Sequence, residues 1–394
     1  MRRGMAKLTW IILPIVFFLF YPHDSFQQEQ GDLKDAEAYN SRGMAYRDKG
    51  QYDRAISDFN KAIEINPTYT FAYNNRGIAY RDKGQYDRAI SDFNKAIEIN
   101  PRYAYAYNNR GLAYGGKGKP DLAISDFNKA IEIDSRFAYP YNNRGTIYLG
   151  KSRYDQAISD FNKAIEMNPK YTEAYHNRGI AYRHKGQYDR AISDFNKAIE
   201  MDPKSIEAYN NRGIAYYDKG RYDQAISDYN KALEAKPKFA EAYYNRGMAY
   251  WGRGLYDQAL SDYDKALEIN PRFAEAYNNR GMAYKRKGQY DQAISDYNKA
   301  LEIDPRYAEA FNNLGNAYME KGQYDQAISN YDKAIELNPR FAAGYNNRGM
   351  AYYTKQEYDK SWEDIKRAQD LGYQIPSQFL EDLRNALAKP MEKK

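Results

Sequence analysis

The chain contains no cysteine, which excludes disulfides, thiol nucleophiles, cysteine zinc sites and a lipidated N-terminal cysteine. Histidine is almost absent too, with only His23, His176 and His184. The last two fall eight residues apart on one expected helix, about 12 Å along its axis and too far to share a metal ion. They read as solvated side chains, and no metal or cofactor is implied. Aliphatic residues are sparse and mean hydropathy is −0.94, so 394 residues lack the material for one large core. Charge of one sign is not in excess either. The 59 basic and 53 acidic residues leave +6, which is not a polyanion-binding balance. What the chain has in abundance is tyrosine, 43 residues, too aromatic a composition for disorder.

Long hydrophobic runs are lacking except at the start, where Arg2, Arg3 and Lys7 precede the uncharged stretch Leu8 to Tyr21. That is the layout of an export signal. Its 14 residues would make a helix of about 21 Å, short of the roughly 30 Å hydrocarbon core. Residues 1–25 therefore read as a signal peptide or N-terminal membrane anchor, and residues 26–35 as a linker. Ser25 is the sole small residue near a cleavage point, which leaves both forms open. The cationic start places the remainder outside the cytoplasm, periplasmic or anchored to the membrane, with membrane contact only through this segment.

From residue 36 to residue 375 one 34-residue sentence recurs ten times. In each repeat, counted from its first residue (Ala36 in repeat 1), an apolar stripe at places 4, 8 and 11 (Tyr39, Gly43, Tyr46) has helical spacing. A glycine at place 15, such as Gly50, ends that helix. A second stripe at places 17, 20, 21, 24, 27 and 28 (Tyr52 to Ile63) makes a second helix, stopped by Asn66-Pro67. This period is the signature of an all-α solenoid of helix-turn-helix units. After Pro376 the segment 377–388 reads as a helix that caps the array within a C-terminal segment 376–394, with Phe379, Leu380, Leu383 and Leu387 on one face.

The pattern Tyr39-x2-Arg42-Gly43-x2-Tyr46, Ala55-x3-Phe59-x2-Ala62, Pro67 resembles the tetratricopeptide repeat, with tyrosine and arginine where that family has tryptophan and leucine. The resemblance implies a right-handed superhelix whose first helices line a concave groove that binds peptides or proteins. The arginine at place 7 lies beside the buried stripe, where an unpaired guanidinium is costly. Nine repeats carry it and nine carry aspartate at place 23; repeat 9 lacks both, with Leu314 and Asn330. An ion pair between the two helices of a repeat is expected.

Catalytic chemistry is not indicated. Gly111 to Lys117 spells the start of a phosphate loop, but Gly118 replaces the magnesium-binding hydroxyl and no strand precedes it. The recurring acidic residues read as architecture, and the chain reads as a non-enzyme.

Function should sit where repeats depart from their own average. Places 2, 5, 9 and 12 share one stripe of the first helix, and the family resemblance makes that stripe the groove. Asparagine fills place 6 in nine repeats (Asn75, Asn109, Asn143, Asn177, Asn211, Asn245, Asn279, Asn313, Asn347); such amides could meet a peptide backbone or bond between repeats. Place 2 turns aromatic in repeats 2 to 4, as Phe71, Tyr105 and Tyr139, with Arg81, Arg102 and Arg136 nearby, so a cationic, aromatic groove is expected there. Tyr217, Tyr244 and Trp251 form a second departure, as partner anchors or as cover for a neighbouring helix. The leading reading is a scaffold for an extended peptide or protein segment. The rivals are envelope polysaccharide, suited by exposed rings and amides, and RNA, suited by arginine and stacking tyrosines but disfavoured by the export signal. Repeat 3, with Gly115, Gly116, Gly118, Pro120 and Ser135, is expected to form a soft joint at residues 115–120.

Overall fold

A computed structural model describes residues 23–388. Among them there are twenty-one helices and no strand, and the alternation of two helices per 34 residues makes a helical-repeat solenoid. The described helices group into two compact bodies, one ending at Pro169 and the other beginning at Lys170.

Each repeat is a hairpin built the same way. In repeat 2 the first helix, Thr70–Asp82, ends at Lys83. Gly84 then takes φ +72°, a left-handed conformation that costs other residues but not glycine. The second helix, Tyr86–Ile99, carries Asp87 in its first turn, where the carboxylate meets the positive end of the helix dipole. Its interior face is made of Ala89, Phe93 and Ala96, all fully buried. The glycine at place 8 fits that aromatic ring closely: a Cβ on Gly77 would lie 2.7 Å from Phe93. The core is thus built of small shared cores, in repeats 1 to 9 an aromatic ring and in repeat 10 Ile365 seated against a glycine, and no deep interior is needed.

The first helix begins earlier than its repeat, at His23–Asp48. Residues 26–35, read above as a linker, belong to this helix. The apolar leader lies outside the described residues up to residue 22, and no helix among the described residues is long and apolar enough to cross a membrane. At the other end the helix Ser377–Ala388 forms where the sequence places it. Leu383 is fully buried, and Phe379 meets the Tyr353 ring at 5.1 Å, so the last repeat is covered.

Candidate functional site

Most of the polar residues that mark the repeats are engaged with one another. In all nine repeats that have it, the place 7 arginine bridges to the place 23 aspartate. In repeat 6, Arg212 Nε and Nη2 donate to Asp228 Oδ2 and Oδ1 at 2.8 and 2.6 Å. Nη1 donates to Asn196 Oδ1 of the preceding repeat at 2.6 Å, and the guanidinium lies 5.4 Å from the Tyr209 ring. One side chain therefore ties three helices. Burial works against the Arg212 charge, but the bonds and charge of Asp228 outweigh it and hold the guanidinium above its ordinary pKa. Burial pushes the Asp228 carboxyl up, against the pull of Arg212. In repeat 9 the pair is missing as a pair: Leu314 is buried with Ala293, Tyr297 and Ala317, and Asn330 donates to the Gln326 carbonyl.

The place 6 asparagines form a ladder across repeats. Asn75 donates to Asn40, Asn109 to Asn74 and Asn143 to Asn108 at 2.9–3.0 Å. In the second body Asn245, Asn313 and Asn347 donate to Asn210, Asn278 and Asn312 in the same way, and Asn177 is also engaged. The inter-repeat use of these amides is therefore what the geometry favours. Two repeats substitute the acceptor. Asn211 pairs with His176 Nε2 at 3.0 Å, and Asn279 donates to the Tyr244 hydroxyl at 3.0 Å. His176 is thus not a solvated side chain: its ring also meets Phe195 at 5.7 Å, and burial lowers its pKa against the opposing pull of Glu207 and Glu173.

What is left for a ligand differs between the bodies. In the first, a concavity of ≈ 780 Å³ is lined by Arg81, Tyr105, Tyr139, Asn75, Asn109 and Asn143, with Ile78, Leu112, Asn108, Tyr103 and Phe137. The expected groove places therefore do face one space. Along its edge runs an unbroken rail of six rings: Tyr69, Phe71, Tyr103, Tyr105, Phe137 and Tyr139, with successive centroids 4.5–6.0 Å apart. Phe71, Tyr105 and Tyr139 remain 50–53% exposed. Burial raises the Tyr103 hydroxyl to about 12, so it stays protonated at neutral pH. The cationic character expected here is not found. Arg81 Nη2 bonds to Asp82 at 2.8 Å and Arg47 Nη2 to Asp48 at 2.8 Å, each neutralised by the residue that follows it. Arg102 and Arg136 are exposed on turns outside the lining, their backbone N–H groups donating to Asn100 and Asp134.

In the second body the expected anchors lie mostly against the array itself. Tyr217 packs on Tyr222 at 5.5 Å, Trp251 on Tyr256 at 4.9 Å and Tyr244 on Phe273 at 4.8 Å, all half-buried. Of the three, Trp251 lines a concavity of ≈ 540 Å³ with Met282, Lys285, Arg286, Tyr290, Asn313 and Glu320. Neither the place 34 rings of the rail nor Lys285 and Glu320 were singled out from the sequence. The rings were counted as packing between repeats, and the charges match no recurrent pattern. Among the described residues no cluster of metal-ligating side chains is present.

The same architecture recurs in known proteins. Models described as TPR repeat match residues 78–118, 181–220, 215–254, 281–322 and 315–356. Models described as tetratricopeptide repeat match residues 36–69, 104–137, 138–171 and 240–273, and residues 59–91, 161–193 and 262–295. No curated protein matches the chain. Among solved structures, that of MamA is 32% identical over 42% of this chain and 96% of its own, with TM-score 0.39. YrrB, described as a TPR protein with an unusual peptide-binding site, is 30% identical over 50% of this chain and 97% of its own, at 0.40. The Cut9-Hcn1 hetero-tetramer of the APC/C is 16% identical over 93% and 95%, at 0.53, a likeness of fold. With hairpins of the same period over the matched residues 36–356, the chain belongs to the tetratricopeptide repeat family.

Proposed function

We infer that this chain is a scaffold for protein interaction, as tetratricopeptide repeat proteins generally are. We propose that this chain holds an extended peptide or protein segment against the stripe formed by places 2, 5, 6, 9 and 12 of its first helices, with the principal site in the first body. The observation that carries this reading is the ≈ 780 Å³ concavity in which those places converge beside half-exposed rings. Rigid aromatics lose little entropy on binding and make favoured anchors. On the apolar leader, which lies outside the described residues, we place the array outside the cytoplasm.

Exposed rings in a row also favour a second reading, a neutral polysaccharide. RNA is disfavoured, because Arg81 and Arg47 are already paired with Asp82 and Asp48 and have little charge to offer phosphates. Binding of immobilised peptide, glycan and RNA pools by the full chain, repeated across salt, separates the three. Peptide retention that survives moderate salt supports the proposal; retention of RNA with a steep salt loss, or of glycan alone, rejects it.

A further inference from the structure

The rail in the first body specifies more than an aromatic surface. Phe71 and Tyr105 each touch Tyr103, at 5.4 and 5.8 Å. Tyr105 and Tyr139 each touch Phe137, at 4.5 and 5.7 Å. The exposed rings therefore recur at no more than about 11 Å, of the same order as the roughly 9 Å turn of a polyproline II helix. Polyproline II segments dock in aromatic-lined grooves, where their preformed conformation keeps the entropy cost of binding low.

Hydrogen-bonding capacity points the same way. Asn108 is only 5% exposed and lines the concavity. Its Oδ1 accepts from Asn143, and its Nδ2 is not cut off from solvent, so it can donate to a ligand carbonyl. The hydroxyls of Tyr103 and Tyr105 add further donors in the same lining. A proline-rich strand has the complementary set, backbone carbonyls facing out and few N–H groups of its own. Charge agrees, since the arginines of this face are paired to adjacent aspartates and call for no anionic partner.

We infer that the first body is a receptor for a proline-rich segment in polyproline II conformation, its rings seated between Phe71, Tyr105 and Tyr139 and its carbonyls taken by Asn108 Nδ2. This rests on the reading that the groove holds a protein segment, and it names which kind.

The test uses the full chain, titrated by calorimetry with a decaproline peptide, a Gly/Ser decapeptide, a mixed-sequence peptide pool and cellohexaose. Decaproline is expected to bind at least tenfold more tightly than the Gly/Ser peptide. The triple variant Phe71→Ala, Tyr105→Ala, Tyr139→Ala is expected to lose at least tenfold in that affinity with an unchanged helix content, since these rings are exposed. Tyr373→Ala, an exposed ring of the other body outside the stripe, is expected to change it less than twofold. Equal affinity for decaproline and Gly/Ser peptide, or decaproline binding unmoved by the triple variant, overturns the inference. If the mixed pool binds and decaproline has no advantage, the broader peptide reading stands and only this one falls. If cellohexaose alone binds, both fall.

Discussion

An arginine placed beside the apolar stripe of every repeat but one is tolerated because Asp at place 23 answers its charge, and in repeats such as the sixth a side chain of the preceding repeat adds a second partner. Removing one partner of such a pair leaves a buried charge uncompensated, at a cost of about 3–5 kcal/mol, whereas replacing both is often tolerated. Repeat 9 already shows the apolar solution, Leu314 with Asn330. Arg212→Leu alone is therefore expected to destabilise the array by about 3–5 kcal/mol, and Arg212→Leu with Asp228→Asn by much less. Urea melts of the two single variants and the double variant give the coupling, and additive losses would refute a functional pair. The histidine in the asparagine ladder makes a second residue-scale case. Burial lowers the His176 pKa from its ordinary 6.5, so the unfolded chain binds more protons than the folded one near that pH. Its contribution to stability is complete above about pH 6.5 and is lost as pH falls through the lower folded value. His176→Asn restores the residue of eight other repeats and keeps an acceptor for Asn211. Thermal melts from pH 7.5 to 5 should show a shallower acid loss for that variant, and parallel curves would exclude His176 as the cause.

At the scale of the helix, the close fit of rings against glycines makes opposite predictions for two glycines at the same place of neighbouring repeats. Gly116 and Gly150 both occupy place 13. A Cβ on Gly116 would meet the Tyr86 ring at 2.6 Å, whereas nothing lies within 4 Å of one on Gly150. The difference traces to Pro120, which stands where Tyr86 stands one repeat earlier. Gly150→Ala is expected to stabilise by up to about 1 kcal/mol through helix propensity, and Gly116→Ala to destabilise through overpacking; denaturant midpoints check both signs. The hairpins themselves were legible in the sequence because each signal recurs ten times: the Gly84 turn, the Asn-Pro stop and the Arg-Asp pair all stand where the period puts them. The uses of the side chains were less legible. An amide's partner one repeat away depends on the lateral offset of adjacent hairpins, so Asn75 reads alike as ladder or ligand contact until Asn40 is placed beside it. Tyr103 and Phe137 belong to the packing class by position, yet the turn before each first helix carries them to the edge of the concavity and makes them part of the rail. Residues 26–35 have no period at all, and their helix became visible only as a continuation of the first hairpin.

For the array as a whole, stability is a sum of repeat and neighbour terms, so the weakest interface sets where a body opens. Within the first body that interface is between repeats 3 and 4. The first helix of repeat 3 ends in Gly115 and Gly116, and interior glycine costs about 1 kcal/mol relative to alanine. Pro120 then supplies no ring to the next repeat, leaving the space beside Gly150 unfilled. Beyond it, the next turn is closed by Ser152 at φ +56° where most repeats have glycine, a left-handed conformation that costs a non-glycine residue roughly 1–2 kcal/mol. Three defects in one stretch lower the local opening free energy relative to the hairpin before it, which has Arg81 with Asp82, Tyr86 and Gly118 in those roles. Amide exchange at residues 115–120 and 150–153 should therefore be faster than at the equivalent turns 81–86 and 47–52. Pro120→Tyr places a ring against Gly150 as Tyr86 lies against Gly116, and Ser152→Gly relieves the turn. Together they should slow exchange across the joint while leaving residues 47–86 unchanged. Uniform exchange along the wild-type body, or a double variant that slows every repeat equally, would show that the joint is no softer than its neighbours.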